Sequence, residues 1–225
     1  MFLYIVATPI GNLADITLRT LDILKGVDLI LCEDTRQTKK LLEHYHLEKP
    51  TLSYHQHSKI EKIDFILNKL REGSNIALVS DAGTPGISDP GNYLVKKAIE
   101  RFGSQVQIVP IPGPTALAVL ASVAGFSCDQ FLFLGFLPHK KGRQTLLKEI
   151  IASSRTIILY ESCHRIIKLI GELIVFGVAD RQVVIGRELT KKFETIYRGT
   201  AQELELELKN GIVKGEFAVI IEGKK

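Results

Sequence analysis

Between Asp81 and Gly91 the stretch Asp-Ala-Gly-Thr-Pro-Gly-Ile-Ser-Asp-Pro-Gly carries three glycines, two prolines and two aspartates in eleven residues. A plain connection between a strand and a helix needs only about 2–6 residues. A longer one at a strand's carboxyl end, rich in residues with special backbone freedom, reads as a ligand clamp. Gly83 and Gly86 are placed where a Cβ would obstruct the backbone or a close-lying ligand. The stretch holds no lysine or arginine, which disfavours a phosphate ligand. Asp81 and Asp89 suit hydroxyls, amines or a positively charged ligand.

Other strand exits carry chemistry-bearing residues, each with a plain reading beside the functional one. Ala7-Thr-Pro-Ile-Gly-Asn12 is either a simple turn or a sharp, exposed backbone that a ligand can approach. It lacks the G-x-G-x-x-G of a dinucleotide loop, and no G-x-x-x-x-G-K-[ST] occurs anywhere in the chain. Cys32-Glu-Asp-Thr-Arg36 is either the charge cluster of a helix start or a polar patch at the same sheet edge. Tyr160-Glu-Ser-Cys-His-Arg165 groups Glu161, His164 and Arg165 at a strand end, with Ser162 a credible helix cap. Arg187-Glu-Leu-Thr-Lys-Lys192 is a further charged exit or a solvated turn. No H-E-x-x-H, G-x-S-x-G or carboxylate–histidine ligand spacing is present, so no metal site is expected.

The elements that must position these residues alternate between strand and helix. Continuous apolar runs such as Phe2 to Thr8, Asp28 to Cys32 and Asn75 to Ser80 fit parallel strands covered on both faces. Helical patterning covers Asp15 to Gly26, Thr38 to His46, Lys59 to Arg71 and Pro90 to Phe102, and a strand follows over Gln105 to Val109. Pro110-Ile-Pro-Gly-Pro-Thr115 is stiff, extended and excluded from a sheet interior. The pattern then resumes with helix Thr115 to Ala124, strand Phe131 to Phe136, helix Arg143 to Ala152, strand Thr156 to Tyr160, helix Ser162 to Phe176 and strand Val183 to Arg187. Glu194 to Thr200 and Glu216 to Glu222 read as closing, antiparallel strands. The expectation is two α/β domains, residues 1–111 and 112–225, with a ligand cleft between them.

A 45% hydrophobic, 24% charged chain of 225 residues is an ordinary globular composition. The apolar runs are strand-length, too short to span a membrane, and the start lacks the features of a signal peptide. Cys32, Cys128 and Cys163 lie far apart with no C-x-x-C pair, which argues against a disulfide framework and fits a reducing cytoplasm. A net charge of +4 permits a polyanionic partner without demanding one. The cluster His139-Lys-Lys-Gly-Arg143 is expected as an exposed basic loop, with Lys140, Lys141 and Arg143 facing phosphates.

Taken in order, these motifs resemble the small-subunit ribosomal RNA methyltransferase I family of the tetrapyrrole-methylase superfamily. The resemblance rests on Ala7 to Thr17, Cys32 to Arg36, Ser80 to Gly91, Pro112 to Ala116, Phe133 to Pro138, Tyr160 to Arg165 and Arg187 to Thr190, and it covers essentially the whole chain. It implies an S-adenosyl-L-methionine cofactor held between two α/β domains, ribosomal RNA of the small subunit as partner, and a homodimer. The reaction implied is 2′-O-methylation of a cytidine. By motif position the cofactor contacts become Ile10, Asp81, Thr84, Thr115, Ala116, Tyr160, Glu161, Phe217 and Ala218, with Gly83 added for its backbone. Members of that family usually continue past the Gly215 to Gly223 strand, whereas this chain ends at Lys225.

Methyl transfer to a ribose hydroxyl benefits from a base and from a cation at the adjacent phosphate. Glu161 or His164 would be the base, and Arg36 or Arg165 the phosphate-orienting cation. Two other readings stay open: methylation of a tetrapyrrole-like small molecule, and a non-catalytic RNA-binding assembly protein.

Overall fold

A computed structural model describes residues 1–56 and 58–224. The chain forms two compact units, Met1–Thr115 and Ala116–Lys225.

In the first unit β1 (Phe2–Val6), β2 (Leu29–Cys32), β3 (Thr51–Ser53), β4 (Ile76–Val79) and β5 (Gln107–Ile111) form a sheet of order β3-β2-β4-β1-β5. Every neighbouring pair is parallel. Side-chain alternation explains the unbroken apolar runs. Leu3, Leu31, Ile76 and Leu78 face helices α3 (Ile60–Arg71) and α4 (Asn92–Phe102), while Val6, Ile30, Cys32, Ala77 and Val79 face α1 (Leu18–Gly26) and α2 (Thr35–His44). From β1 the chain leaves toward β2, and from β4 it leaves toward β5 on the other side. The strand order therefore reverses between these neighbours, which is where open parallel sheets bind ligands.

The second unit holds α5 (Ala116–Ala121), β6 (Phe131–Phe136), α6 (Arg143–Ala152), β7 (Thr156–Ser162), α7 (Ile166–Leu173), β8 (Gln182–Arg187), β9 (Thr195–Thr200), α8 (Ala201–Asn210) and β10 (Glu216–Ile221). Its sheet has the order β6-β7-β10-β8-β9; only β6 and β7 pair in parallel, and the rest are antiparallel. Odd-numbered residues of the central strands (Ile157, Leu159, Val183, Ile185, Phe217, Val219) join one core with α6, α7 and α8. On the opposite face α5 lies so close that a Cβ on Gly186 would meet Leu120 at 2.8 Å.

Several expected boundaries move, each for a local reason. Asp15 belongs to a separate short turn, and Thr17 caps α1 by accepting from the Thr20 N–H. Pro90 precedes α4 rather than opening it, since Asn92 is its first residue. Ser162 ends β7 instead of capping a helix, and a turn delays α7 to Ile166. Pro110 and Ile111 extend β5, which tolerates a missing donor because it is an edge strand. Two elements escaped the periodicity altogether, β3 and α8. The second was announced by Thr200-Ala-Gln-Glu203, a capping box: Thr200 Oγ1 accepts from the Glu203 N–H at 3.3 Å, and Glu203 Oε2 accepts from the Thr200 N–H at 2.7 Å. Replacing Thr200 by Ala is expected to lower unfolding stability by about 1 kcal/mol, read as a lower urea midpoint by circular dichroism.

Candidate functional site

In the first unit the loops that leave β1, β4 and β5 are laced together at the reversal point. Thr8 and Gly83 exchange backbone hydrogen bonds, Thr8 N–H to the Gly83 carbonyl at 2.9 Å and Gly83 N–H to the Thr8 carbonyl at 3.1 Å. Thr8 Oγ1 donates to the Ser80 carbonyl at 3.2 Å, and Ala7 N–H donates to the Ile111 carbonyl at 3.1 Å. The third loop joins through Thr84 Oγ1, which donates to the Pro114 carbonyl at 3.2 Å. Close approach is enforced by missing side chains: a Cβ on Gly113 would lie 2.8 Å from that of Ala7. One on Gly83 would lie 3.3 Å from Ile10 Cγ2 and 3.6 Å from the Pro114 carbonyl oxygen. Ile10, Gly83 and Thr84 thus come together, with Thr115 next to Pro114.

Gly83 has φ 82°, so an L side chain there is strained with or without a ligand. Gly86 has a local purpose, because its Cβ would fall 2.9 Å from Asn92 Oδ1, the side chain that ties this loop to the start of α4.

At the end of β2, Asp34 caps α2 by accepting from the Arg36 N–H at 2.8 Å, and it also pairs with the Arg36 guanidinium at 2.6 Å. That pairing holds the Asp34 carboxyl well below its usual range, at about 2. Arg36 is otherwise exposed. Asp81 Oδ1 accepts from the Asp34 N–H at 2.9 Å, so the long loop is fastened to the β2 exit as well. Burial pushes the Cys32 thiol up, partly offset by a hydrogen bond from Thr38, which makes this thiol part of the core rather than a nucleophile. Ser53 and His55, which the sequence reading passed over, stand beside this exit because Tyr54 N–H donates to the Cys32 carbonyl at 2.7 Å. Their signal was faint: β3 is only three residues long.

In the second unit strand alternation separates two adjacent candidates. Tyr160 pairs with Ala218 and accepts the Leu117 N–H of α5 at 3.1 Å, with Phe133 edge-on at 5.0 Å between ring centres. Glu161 pairs with Phe217 and points to the opposite face, where α6 and α7 lie. Phe217 is a core residue there, whereas Ala218 sits on the α5 side beside Gly186. Side chains of Tyr160 and Ala218 therefore share one face, and those of Glu161 and Phe217 the other.

Glu161 is fully buried and held by the Arg165 guanidinium at 2.7 Å, with Arg143 4.0 Å away. Its Oε1 also accepts from the Ser162 N–H at 2.8 Å, and its Oε2 makes no hydrogen bond among the described residues. Arg165 donates in addition to the Leu137 carbonyl at 2.9 Å. His164 is exposed in the turn that follows β7, which closes through the Arg165 N–H on the Ser162 carbonyl at 3.0 Å.

Arg143 departs from expectation. It is 5% exposed, not part of a basic loop, because its guanidinium pairs with Glu172 at 2.6 Å and donates to the Pro138 carbonyl at 3.2 Å. The other members of that cluster, His139, Lys140, Lys141 and Gly142, are exposed.

Residues 2–205 match the family of tetrapyrrole (corrin/porphyrin) methylases. The chain is 46% identical over 222 residues to the ribosomal RNA small subunit methyltransferase I of Synechocystis sp., a match that covers 98% of this chain and 78% of that protein. It is 44% identical to the protein of the same name from Thermotoga maritima, with 99% of each chain covered. Among solved structures it resembles a cobalt precorrin-4 methyltransferase (TM-score 0.70, 22% identity, 98% of this chain and 94% of that one). It also resembles the uroporphyrin-III C-methyltransferase of Thermus thermophilus complexed with S-adenosyl homocysteine (TM-score 0.67, 17% identity, 98% and 97%). At such identities these two likenesses speak for the fold alone.

Removing one member of a buried ion pair leaves the other charge uncompensated and costs about 3–5 kcal/mol. Arg165→Met is therefore expected to lose stability on that scale, and Glu161→Gln less, since its amide keeps an acceptor for the Ser162 N–H. Urea unfolding of both variants checks this; equal, small losses would show the pair to be dispensable.

Proposed function

Since this chain belongs to the ribosomal RNA small subunit methyltransferase I family of tetrapyrrole methylases, we propose that it transfers a methyl group from S-adenosyl-L-methionine to ribosomal RNA of the small subunit, at the 2′-hydroxyl of a cytidine. The single observation that carries the cofactor half is the laced loop triad Thr8–Asn12, Ser80–Gly91 and Ile111–Thr115. Gly83 and Gly113 let its three members approach closely, with Asp81 and no cation on its longest member. That suits a ligand bearing hydroxyls, an amine and a sulfonium. When bound, S-adenosyl-L-methionine supplies an electrophilic methyl whose departure neutralises the positive sulfur.

Ile10, Gly83, Thr84 and Thr115 hold the cofactor through backbone and apolar contact, and Asp81 attracts its positive or hydroxyl groups. In the second unit Ala116, Tyr160 and Ala218 are contacts from the α5 face, while Glu161 and Phe217 support that strand from beneath. Alignment of the hydroxyl with the methyl at about 3–3.5 Å accounts for much of such an acceleration. Exposed His164 is the candidate to accept the 2′-hydroxyl proton, and exposed Arg36 to steady an RNA phosphate. Glu161 and Arg165 position the turn that carries His164. The cytoplasm is the proposed setting, and no helix among the described residues is long and apolar enough to cross a membrane. We also propose a homodimer, which light scattering would read as twice the 25.0 kDa chain mass.

Nothing favours a tetrapyrrole substrate over RNA: the relatives at 44–46% identity are named for ribosomal RNA, and the tetrapyrrole enzymes share only the fold. A non-catalytic assembly role requires that the cofactor not bind.

Three measurements test this. Calorimetry is expected to show S-adenosyl-L-methionine binding that survives a chelator; no heat of binding would overturn the cofactor assignment. Mass-spectrometric mapping of small-subunit RNA treated with the enzyme is expected to find a new 2′-O-methylcytidine. Lys140→Ala together with Lys141→Ala is expected to raise KM for RNA and to flatten its salt dependence, by about 0.7 in slope per lost single-strand phosphate contact, with cofactor affinity unchanged.

A further inference from the structure

Beside the laced loops the first unit has a second concavity, a hollow of about 370 Å³ lined by Glu33, Asp34, Thr35, Arg36, Ser53, His55 and Asp81. It opens at the carboxyl ends of β2, β3 and β4, and its volume is at the small-ligand end of the usual range, about 300–1,000 Å³. Its lining divides into two kinds. Asp34 and Arg36 are committed to each other and to the start of α2, and Asp81 has one oxygen on the Asp34 N–H. Among the described residues, the carboxylate of Glu33 and the ring of His55 make no hydrogen bond, although both line the hollow. Glu33 is only half-buried, and its carboxylate stays available to a ligand, while Asp34 beside it is already paired.

The distribution of charge narrows what belongs there. Three carboxylates against one guanidinium disfavour a phosphate inside the hollow, whereas the exposed Arg36 side chain remains open to one outside it. Yet no three His, Cys, Asp or Glu side chains among the described residues are grouped to hold a metal ion, so the acceptors do not converge on a point cation. They are spread around a cavity, as is needed for a flat ligand with hydrogen-bond donors on its edge. We infer that this hollow seats the base of the nucleotide to be methylated, and that Glu33 reads its edge by accepting from the exocyclic amine of cytosine. The inference rests on the RNA reading proposed above.

The chemistry selects cytosine against uracil. Cytosine offers an N4 amine where uracil offers an O4 acceptor, and a carboxylate accepts from the first and repels the second. Burial pushes the Glu33 carboxyl up, aided by Asp81 and opposed by His55. Asp81 belongs both to this hollow and to the long loop proposed for the cofactor, and its bond to the Asp34 N–H fastens that loop to the β2 exit. Glu33 is thus a specificity residue that touches substrate, distinct from the groups assigned to proton transfer.

The test uses the full chain, tritiated S-adenosyl-L-methionine and RNA fragments of the small-subunit site carrying cytidine, uridine or a pyrimidin-2-one ribonucleoside at the acceptor position. The wild-type protein is expected to prefer cytidine over each of the others by at least about 10-fold in kcat/KM. Glu33→Gln can turn either its oxygen or its amide toward the base. It is expected to lose most of that preference, by a lower rate on cytidine and a higher one on uridine, with cofactor affinity unchanged. Glu33→Ala is expected to treat cytidine and pyrimidin-2-one alike, because the group that sensed the amine is gone. If both variants keep the wild-type ratios, the hollow does not read the base, and this inference fails alone. If the wild-type protein methylates no ribose in any fragment or in whole small subunits, the RNA reading fails and takes this one with it.

Discussion

The reciprocal backbone pair between Thr8 and Gly83 is the constraint on which the first unit's binding end depends. Two neighbouring parallel strands whose chains depart in opposite directions leave their last amides and carbonyls unpaired, and a buried unpaired peptide group is costly. Pairing Thr8 with Gly83 satisfies four such groups and fixes the separation of the two loops. The Thr8 hydroxyl on Ser80 and the Thr84 hydroxyl on Pro114 extend the same lacing to the third loop. Gly83 is needed because the exchange demands a positive φ with Ile10 and Pro114 on either side. The separation of the β1 and β4 loops is therefore set by main-chain geometry, and threonine hydroxyls reinforce it.

The second unit solves its problem with charge. Glu161 lies at the end of a central strand with no access to water, and it is tolerated because Arg165 and the Ser162 N–H meet it there. Arg143 and Glu172 extend the network to α6 and α7, and two of the arginine contacts grip the carbonyls of Leu137 and Pro138. The path of the chain after β6 is thereby fixed before it reaches the exposed Lys140 and Lys141. A buried ionic network of this kind contributes less to net stability than to the uniqueness of the arrangement it ties together.

Much of this was readable beforehand, and the failures are instructive. The apolar runs of β1, β2 and β4 announced a sheet covered on both faces, because alternation does not matter when both sides are buried. The long loop was legible from its glycines and prolines. Which glycine served the neighbouring loops and which its own helix was not, since Gly86 answers to Asn92 through a contact that no spacing rule encodes. Arg143 was misread because a basic cluster looks the same whether its members face solvent or a glutamate 29 positions away. Tyr160 and Glu161 were grouped as neighbours in sequence, although a strand sends neighbours to opposite faces. β3 and His55 were lost because three residues carry too little periodicity to detect. The hollow at Glu33 depends on β3 being there.

The strand order of the second sheet bears on how the chain acquires its shape during synthesis. In the first unit the last strand made, β5, is an edge strand, so the other four can assemble before it is added. In the second unit the last strand made, β10, lies in the middle, between β7 and β8. Until residues 216–221 leave the ribosome, β7 and β8 have unsatisfied inner edges, and the apolar faces of α6, α7 and α8 have an incomplete floor. Such exposed edges are the places where partly made chains aggregate. The sheet of the first unit has no such gap to fill once β4 is made. The sheet of the second unit cannot close between β7 and β8 until β10 has been made.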